Sequence, residues 1–334
     1  MFLIGKYKIG LLILLISLYA VIVFKSLFFV LPFILFYVMV NRRNFKNIFF
    51  VAILSLLVSI NNYVAAMHLI FYGLFVFAIV GSLTKFKEDI YRSNAYIFLF
   101  FISFLFIFST PYNSDSFLNF FLFKDRLWFE IYGNNIGPNV LGVLSALSFI
   151  YFYNYKNIPF SVLTFYIFLM TQSRGALLFL IIYMVVISFS SYKRFIATLV
   201  LSLFPIYFIF ATDVFSRLKD VSLNGREDRI YWANLFIEKN FPLGYTYEEM
   251  NYFINHIGTT DNLYYHILVK YGIFGILFLM LLVSNFIFSS RSLSSIAIIL
   301  AFLVYGLVEE SIMSNLIFLM FFGLAIFDRK MKEV

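Results

Sequence analysis

Apolar residues run along this chain in long blocks, each closed by one to a few polar residues; Tyr96 to Phe108 is one such block. A helix needs about 20 largely apolar residues to cross a bilayer, somewhat fewer when polar ends reach back to the interface. On that pattern twelve helical spans are predicted, at 9–24, 26–40, 47–61, 63–82, 95–110, 138–153, 159–172, 175–190, 195–211, 264–288, 294–308 and 311–327. Lys25, Asn61-Asn62 and Ser173-Arg174 mark turns between spans or, alternatively, interruptions inside longer helices. Met1 to Ala20 carries Lys6 and Lys8 before an apolar stretch, as a signal peptide does. Apolar segments follow at once, so it reads as a first, uncleaved span.

Two connections stand apart by their length, 111–138 and 211–263. The second contains Asn224-Gly225 and Pro242-Leu243-Gly244 and is expected to form short helices joined by turns. A connection this long usually has work to do. With no internal repeat and no low-complexity tract, 1–334 reads as a single integral membrane domain.

Composition strengthens this picture. The chain is 63% hydrophobic and 13% charged, with mean hydropathy +0.93, against about 45–50% apolar and about 25% charged in soluble domains. The expected fold class is therefore an all-α polytopic membrane protein. No cysteine is present, which excludes disulfides, thiolate nucleophiles and thiolate metal sites. If the N-terminus is cytoplasmic and spans alternate, the inner connections hold fifteen of the 25 basic residues and four of the 17 acids. The positive-inside rule then places both termini in the cytoplasm and both long connections outside, in the periplasm. The formal charge of +8 reflects that orientation, and no nucleic-acid partner is expected.

Arg174 is the most informative single residue. It stands in Thr171-Gln172-Ser173-Arg174-Gly175 between two strongly apolar segments, where an arginine is costly unless paired or wetted. It reads either as a functional cation or as an arginine snorkelling at a helix end. In Gly225-Arg226-Glu227-Asp228-Arg229 two guanidiniums three apart share a helix face. They can fork onto phosphate oxygens or pair with neighbouring acids on a solvated helix. Asp261, Asn262, Tyr264 and His266 gather where the chain returns to an apolar run; His266 is a catalytic candidate or an interfacial histidine. Glu309-Glu310 read as caps of a turn or, alternatively, as members of the site. His68, His256 and His266 are scattered, and no carboxylate cluster has metal spacing, so no metal or other cofactor is expected.

The order of these features resembles the bacterial O-antigen polymerase and O-antigen ligase superfamily. Gly133-Asn134-Asn135-Ile136-Gly137-Pro138-Asn139-Val140-Leu141-Gly142 is similar to the family's Gly-rich Asn-Leu-Gly start of a span, and Ser173-Arg174-Gly175 to its Ser-Arg-Gly at a helix start. The long connection follows with Gly225-Arg226, Trp232 and Pro242-Leu243-Gly244, then Asp261-Asn262-Leu263-Tyr264 with Gly272 and Gly275. The likeness covers residues 133–280.

This resemblance implies a fold of about twelve transmembrane helices of the membrane glycosyltransferase C type in the bacterial inner membrane. It also implies glycosyl transfer from undecaprenyl-pyrophosphate-linked oligosaccharide at the outer face, with release of undecaprenyl pyrophosphate. Family ligases carry His-Asn where this chain has Asp261-Asn262, which favours a polymerase building O-antigen or capsular polysaccharide. A ligase transferring glycan to a lipid A core, and a flippase for the same lipid-linked sugars, are the alternatives. Arg174 with Arg226 or Arg229 would stabilise the charge developing on the pyrophosphate, and Asp261 or His266 would take the acceptor proton. Asn139 and Asn262 would contact substrate, and Trp232, Tyr245 and Tyr264 would stack on sugar faces or anchor at the interface. The expected partners are the lipid-linked oligosaccharide, the bilayer, a chain-length regulator and a flippase.

Overall fold

The computed structural model describes residues 2–25, 45–189, 226–256, 258, 260–289 and 292–327. The expected spans at 26–40 and 195–211, and the first part of 211–263, lie outside the described residues. In chain order the elements are α1 (Phe2–Phe24), α2 (Phe45–Ser59), α3 (Tyr63–Gly73, continued by a π-helix over Leu74–Val80) and α4 (Lys87–Phe108). Then come β1 (Thr110–Pro111), α5 (Phe117–Phe121), β2 (Phe129–Ile131), β3 (Asn134–Ile136), α6 (Pro138–Asn154), α7 (Ile158–Thr171) and α8 (Arg174–Ser188). The rest is α9 (Arg226–Asn240), α10 (Tyr247–His256), α11 (Leu263–Ser289), α12 (Leu293–Tyr305), α13 (Ser311–Ser314) and α14 (Leu316–Ile326).

Local chemistry starts and stops these helices. Pro138 opens α6 at a position where its missing N–H is no loss. Asn62 caps α3 by accepting from Ala65 N at 3.0 Å, and Ser173 caps α8 by accepting from Ala176 N at 3.3 Å. Between α7 and α8, Gln172 turns the chain with φ 45°. Thr246 and Glu249 exchange side-chain-to-backbone bonds of 2.9 and 3.3 Å at the start of α10, a reciprocal capping box.

The chain divides into two compact units, Met1–Phe33 with Phe86–Val221, and Ile34–Lys85 with Ser222–Val334. In unit 1, α6 and α7 form a hairpin, with α4 and α8 packed on α6. The stretch 111–138 holds an antiparallel sheet of order β1-β2-β3. Phe106 of α4 meets Phe129 of β2 edge to face at 5.1 Å, which seats that sheet on the helix. Tyr19 of α1 donates to Asn94 of α4 at 3.0 Å. In unit 2, α2 and α3 pair, α9 packs on α11, and the wholly buried α14 packs on α12 and the π-helix.

The structure corrects the expectation of an all-α protein with about twelve transmembrane helices of the glycosyltransferase C type. It is largely α-helical, with a small sheet. Among the described residues two helices, Lys87–Phe108 and Leu263–Phe288, are long and apolar enough to cross a membrane. Seven further apolar helical stretches among the described residues, Leu12–Phe24 of α1 included, have 10–17 residues. At about 1.5 Å per residue, 15 residues rise roughly 22 Å, short of the roughly 30 Å hydrocarbon core. One apolar run that reads as a span is covered within its own unit: all of Leu316–Ile326 is buried. The multi-pass inner-membrane localisation with both termini cytoplasmic is corrected with it. Its alternation of sides required twelve crossings, and two candidate crossings are found among the described residues.

Candidate functional site

The strongest concentration of polar chemistry in unit 2 surrounds the first turns of α11. Asn262 caps that helix, its Oδ1 accepting from Tyr264 N at 2.9 Å and Tyr265 N at 3.1 Å, while its Nδ2 donates to Leu307 O at 2.9 Å. Leu263 N donates to Gly306 O at 2.8 Å, and the Tyr264 hydroxyl donates to Leu303 O at 2.8 Å. These bonds tie the start of α11 to the end of α12 and fix the residues on either side.

One turn into α11, His266 Nδ1 lies 3.0 Å from Glu310 Oε2. The same oxygen accepts from Thr260 N at 3.1 Å and lies 2.9 Å from Thr260 Oγ1. Glu310 is 12% exposed and His266 19%. Burial by itself would raise the Glu310 carboxyl, but the His266 imidazole and the Thr260 donors outweigh it and hold the pKa at about 2. Glu310 is therefore a fixed carboxylate over the ordinary pH range. A carboxylate on Nδ1 selects the tautomer with Nδ1–H, which leaves Nε2 as the basic nitrogen.

Asp261, with φ 51°, forms an ion pair with Arg229 of α9. Arg226 opens α9 three residues earlier. Lys270 lies one turn beyond His266 on the same face of α11, its ammonium 5.4 Å from the ring of Tyr271 and coupled electrostatically to Glu310. His68 of α3 is coupled in turn to Lys270 and His266. Among the described residues His68 Nδ1 and the Tyr271 hydroxyl are buried without a hydrogen-bond partner. Unmet polar atoms of this kind are rare in folded interiors.

The backbone beneath this cluster is held by an unusual crossing. Gly272 breaks α11 with φ 60° and ψ −147°, a conformation reserved for glycine. A Cβ there would lie 2.0 Å from Pro242 O. Ile273 N donates to that carbonyl at 2.9 Å and Tyr245 N to Val269 O at 2.8 Å, while Asn61 donates to Gly244 O. Pro242-Leu243-Gly244 and Gly272 are thus two sides of one contact, and the Asn61-Asn62 break clasps it. Tyr245 is 4% exposed and packs with Phe236, Met250, Phe253 and Val269. Burial raises its hydroxyl pKa. Trp232, 38% exposed, stands beside Tyr252 with ring centroids 6.4 Å apart.

Unit 1 gathers a second cluster. Asn139 Oδ1 accepts from Ser173 Oγ at 2.9 Å and from Arg126 Nη2 at 3.1 Å, and Arg126 Nε donates to Thr171 O at 3.3 Å. A Cβ on Gly142 would lie 2.9 Å from Ser173 Cβ and 2.8 Å from Ala176 Cβ, so α6 and α8 approach closely because that position is bare. Arg174 is the first residue of α8 and is exposed, directly beside buried Ser173.

Of the ten residues singled out from sequence, Arg229, Asp261, Asn262, Tyr264 and His266 come together in unit 2, with Trp232 and Tyr245 elsewhere on that unit and Arg226 at the start of α9. Asn139 and Arg174 lie in unit 1. Sequence reasoning left Glu310 outside the chosen site residues and missed Thr260, Lys270 and Arg126. A lysine inside the apolar run Ile267–Phe274 was a visible signal. Glu310 offered none beyond its charge, because its partners are 50 residues away for Thr260.

Comparison with known proteins adds one finding. Residues 159–280 match a family model described as O-antigen ligase. The match covers about 36% of the chain, from α7 into α11, and agrees with the polymerase and ligase superfamily at a general level. It spans Arg174, Arg226, Arg229, Asp261 and His266 and leaves out Arg126, Asn139 and Glu310. No curated protein and no solved structure matches the chain.

Proposed function

We propose that this chain is a glycan-transferring enzyme of the ligase kind, moving an oligosaccharide from a polyprenyl-pyrophosphate carrier onto a hydroxyl of an acceptor glycolipid. The observation that carries this reading is the His266–Glu310 pair at 3.0 Å within unit 2, beside the Arg229–Asp261 ion pair. The family match over 159–280 supports the ligase form over repeat-unit polymerisation. Asp261 stands where ligases of the resembling family carry histidine, and His266 supplies an imidazole one turn further on.

In the proposed reaction His266 Nε2 accepts the proton of the acceptor hydroxyl, while Glu310 holds the ring and stabilises the imidazolium. The acceptor oxygen forms a bond to the anomeric carbon. The bond from that carbon to the pyrophosphate oxygen breaks, and the electron pair leaves on undecaprenyl pyrophosphate. Arg229 and Lys270 are the cations assigned to the growing negative charge. Asp261, engaged by Arg229, is assigned to positioning it rather than to proton transfer. Arg174, with Asn139 and Arg126 nearby in sequence-distant elements of unit 1, is proposed as an anion-binding arginine of that unit.

The test is an incubation of purified full-length protein with labelled undecaprenyl-pyrophosphate oligosaccharide, with and without a core glycolipid acceptor. Label moving to the glycolipid in single-glycan steps supports the ligase reading. Label moving into a ladder of lengthened lipid-linked glycan without acceptor supports polymerisation, the reading that Asp261 in place of histidine favours. No transfer with either arrangement overturns both.

A further inference from the structure

Unit 1 holds two adjoining cavities that the reading above does not use. One, of about 500 Å³, is a trough between α1 and α4, lined by apolar side chains that include Leu12, Ile16, Phe24, Phe100 and Phe104. The other, of about 320 Å³, is lined by Glu88, Asp89, Arg92, Tyr151, Tyr155 and Asn157. Tyr96 belongs to the walls of both. Residues 88, 92, 96, 100 and 104 recur every fourth position, a strip that turns about 40° around α4 with each step. It runs from the charged cavity at the start of the helix, past Tyr96, to the apolar trough. α4 is also one of the two helices long and apolar enough to cross a membrane.

A charged mouth opening onto an apolar trough fits an amphiphile with a compact polar head. Glu88 and Asp89 in the first turn of α4 suit the helix dipole, but that does not account for Arg92 or the tyrosines. Arg92 lies one turn after Glu88, yet among the described residues no side-chain ion pair or side-chain hydrogen bond is formed by Glu88, Asp89 or Arg92. The mouth therefore offers one guanidinium and two carboxylates, with the tilted Tyr151–Tyr155 ring pair at 4.5 Å alongside. We propose that these two cavities, which meet at Tyr96, together bind one phospholipid carrying a primary amine, of the phosphatidylethanolamine class. The phosphate sits on Arg92, the ammonium on Glu88 and Asp89 with the tyrosine faces as cation–π partners, and an acyl chain in the trough.

The charge pattern discriminates among lipids. A head with negative charge alone, whether phosphatidylglycerol or a polyprenyl phosphate, meets two carboxylates against one guanidinium. A quaternary amine keeps the attraction to aromatic faces and loses the charge-assisted N–H bonds. The site is independent of the glycan-transfer reading. Within unit 1, Asn139 is at the opposite end of α6 from Tyr151 and Tyr155, about 20 Å along the axis.

The experiment is native mass spectrometry of the delipidated full-length protein in detergent, titrated with phosphatidylethanolamine, phosphatidylcholine, phosphatidylglycerol and undecaprenyl phosphate of defined composition. Phosphatidylethanolamine is expected to bind about tenfold more tightly than phosphatidylglycerol, with phosphatidylcholine between. The double variant Glu88→Gln, Asp89→Asn should bring the two within about twofold, and Arg92→Gln should weaken all phospholipids about fivefold, with Arg92→Lys partly restoring them. The ranking in the unaltered protein needs no variant to fold. Tightest binding of phosphatidylglycerol or undecaprenyl phosphate overturns the proposal. So does equal binding of all four, and so does a preference that survives in the double variant.

Discussion

Replacing Glu310 by Gln removes a negative charge from the most heavily engaged carboxylate of unit 2. Its Oε2 meets Thr260 N at 3.1 Å, Thr260 Oγ1 at 2.9 Å and His266 Nδ1 at 3.0 Å. Against the opposing effect of burial, these partners hold its pKa at about 2, from an ordinary 4.5. At about 1.4 kcal/mol per unit, that displacement is worth roughly 3 kcal/mol to the folded state. Only 12% of the side chain is exposed, so solvent screening removes little of it. The folded pKa lies below the unfolded one, so the contribution is complete above pH 4.5 and is lost as pH falls through about 2. Gln keeps a carbonyl acceptor, so the expected destabilisation at pH 7 is about 2–3 kcal/mol, shrinking by about half at pH 3. Urea unfolding of both proteins, followed by tryptophan fluorescence at pH 7, 5 and 3, reads it directly. A difference between the two that stays constant from pH 7 to pH 3 would show that the Glu310 charge is not its source.

Gly272→Ala forces a side chain toward Pro242 O at 2.0 Å and a φ of 60°, and is expected to cost about 3 kcal/mol or more; a urea midpoint within error of the unaltered protein would contradict the crossing described here. Asn139→Leu leaves Ser173 Oγ and Arg126 Nη2 without their shared acceptor, for an expected loss of about 2 kcal/mol. Ser173→Ala in that background should then add less than it does alone, a double-mutant cycle that strictly additive losses would contradict. Arg174→Ala is expected to lower glycan transfer at least tenfold while leaving the melting temperature within about 2 °C, because its side chain is exposed at the start of α8; full transfer would contradict a part for Arg174 in the reaction.

Helix positions were legible wherever punctuation has a mechanism. The apolar run from 138 and α6 share their start because Pro138 occupies a first-turn position, and the break at Ser173-Arg174 is a true one because Ser173 caps α8. What covers the apolar residues was not legible. Hydropathy assigns the same value to a leucine facing lipid and to one facing another helix, so Leu316–Ile326, buried throughout, read as a membrane span. The stretch 111–138 gave no strand signal, since its strands have two or three residues each, too few to show alternation.

At the candidate site the residue types were readable and their pairings were not. Arg229 and Asp261 each stood out, but they lie 32 residues apart and nothing local joins them. His266 and Glu310 are brought together only by the packing of α11 against the turn after α12. Gly272, Gly244 and Pro242 read as separate turn residues until the close backbone approach made them one contact.

The most direct test of glycan transfer through His266 is the rate of label transfer from undecaprenyl-pyrophosphate oligosaccharide to the glycolipid acceptor, compared between the unaltered full-length protein and His266→Gln at matched amounts. A loss of at least a hundredfold in the transfer rate is expected, with donor binding unchanged. Transfer by His266→Gln within about threefold of the unaltered rate would contradict His266 as the general base.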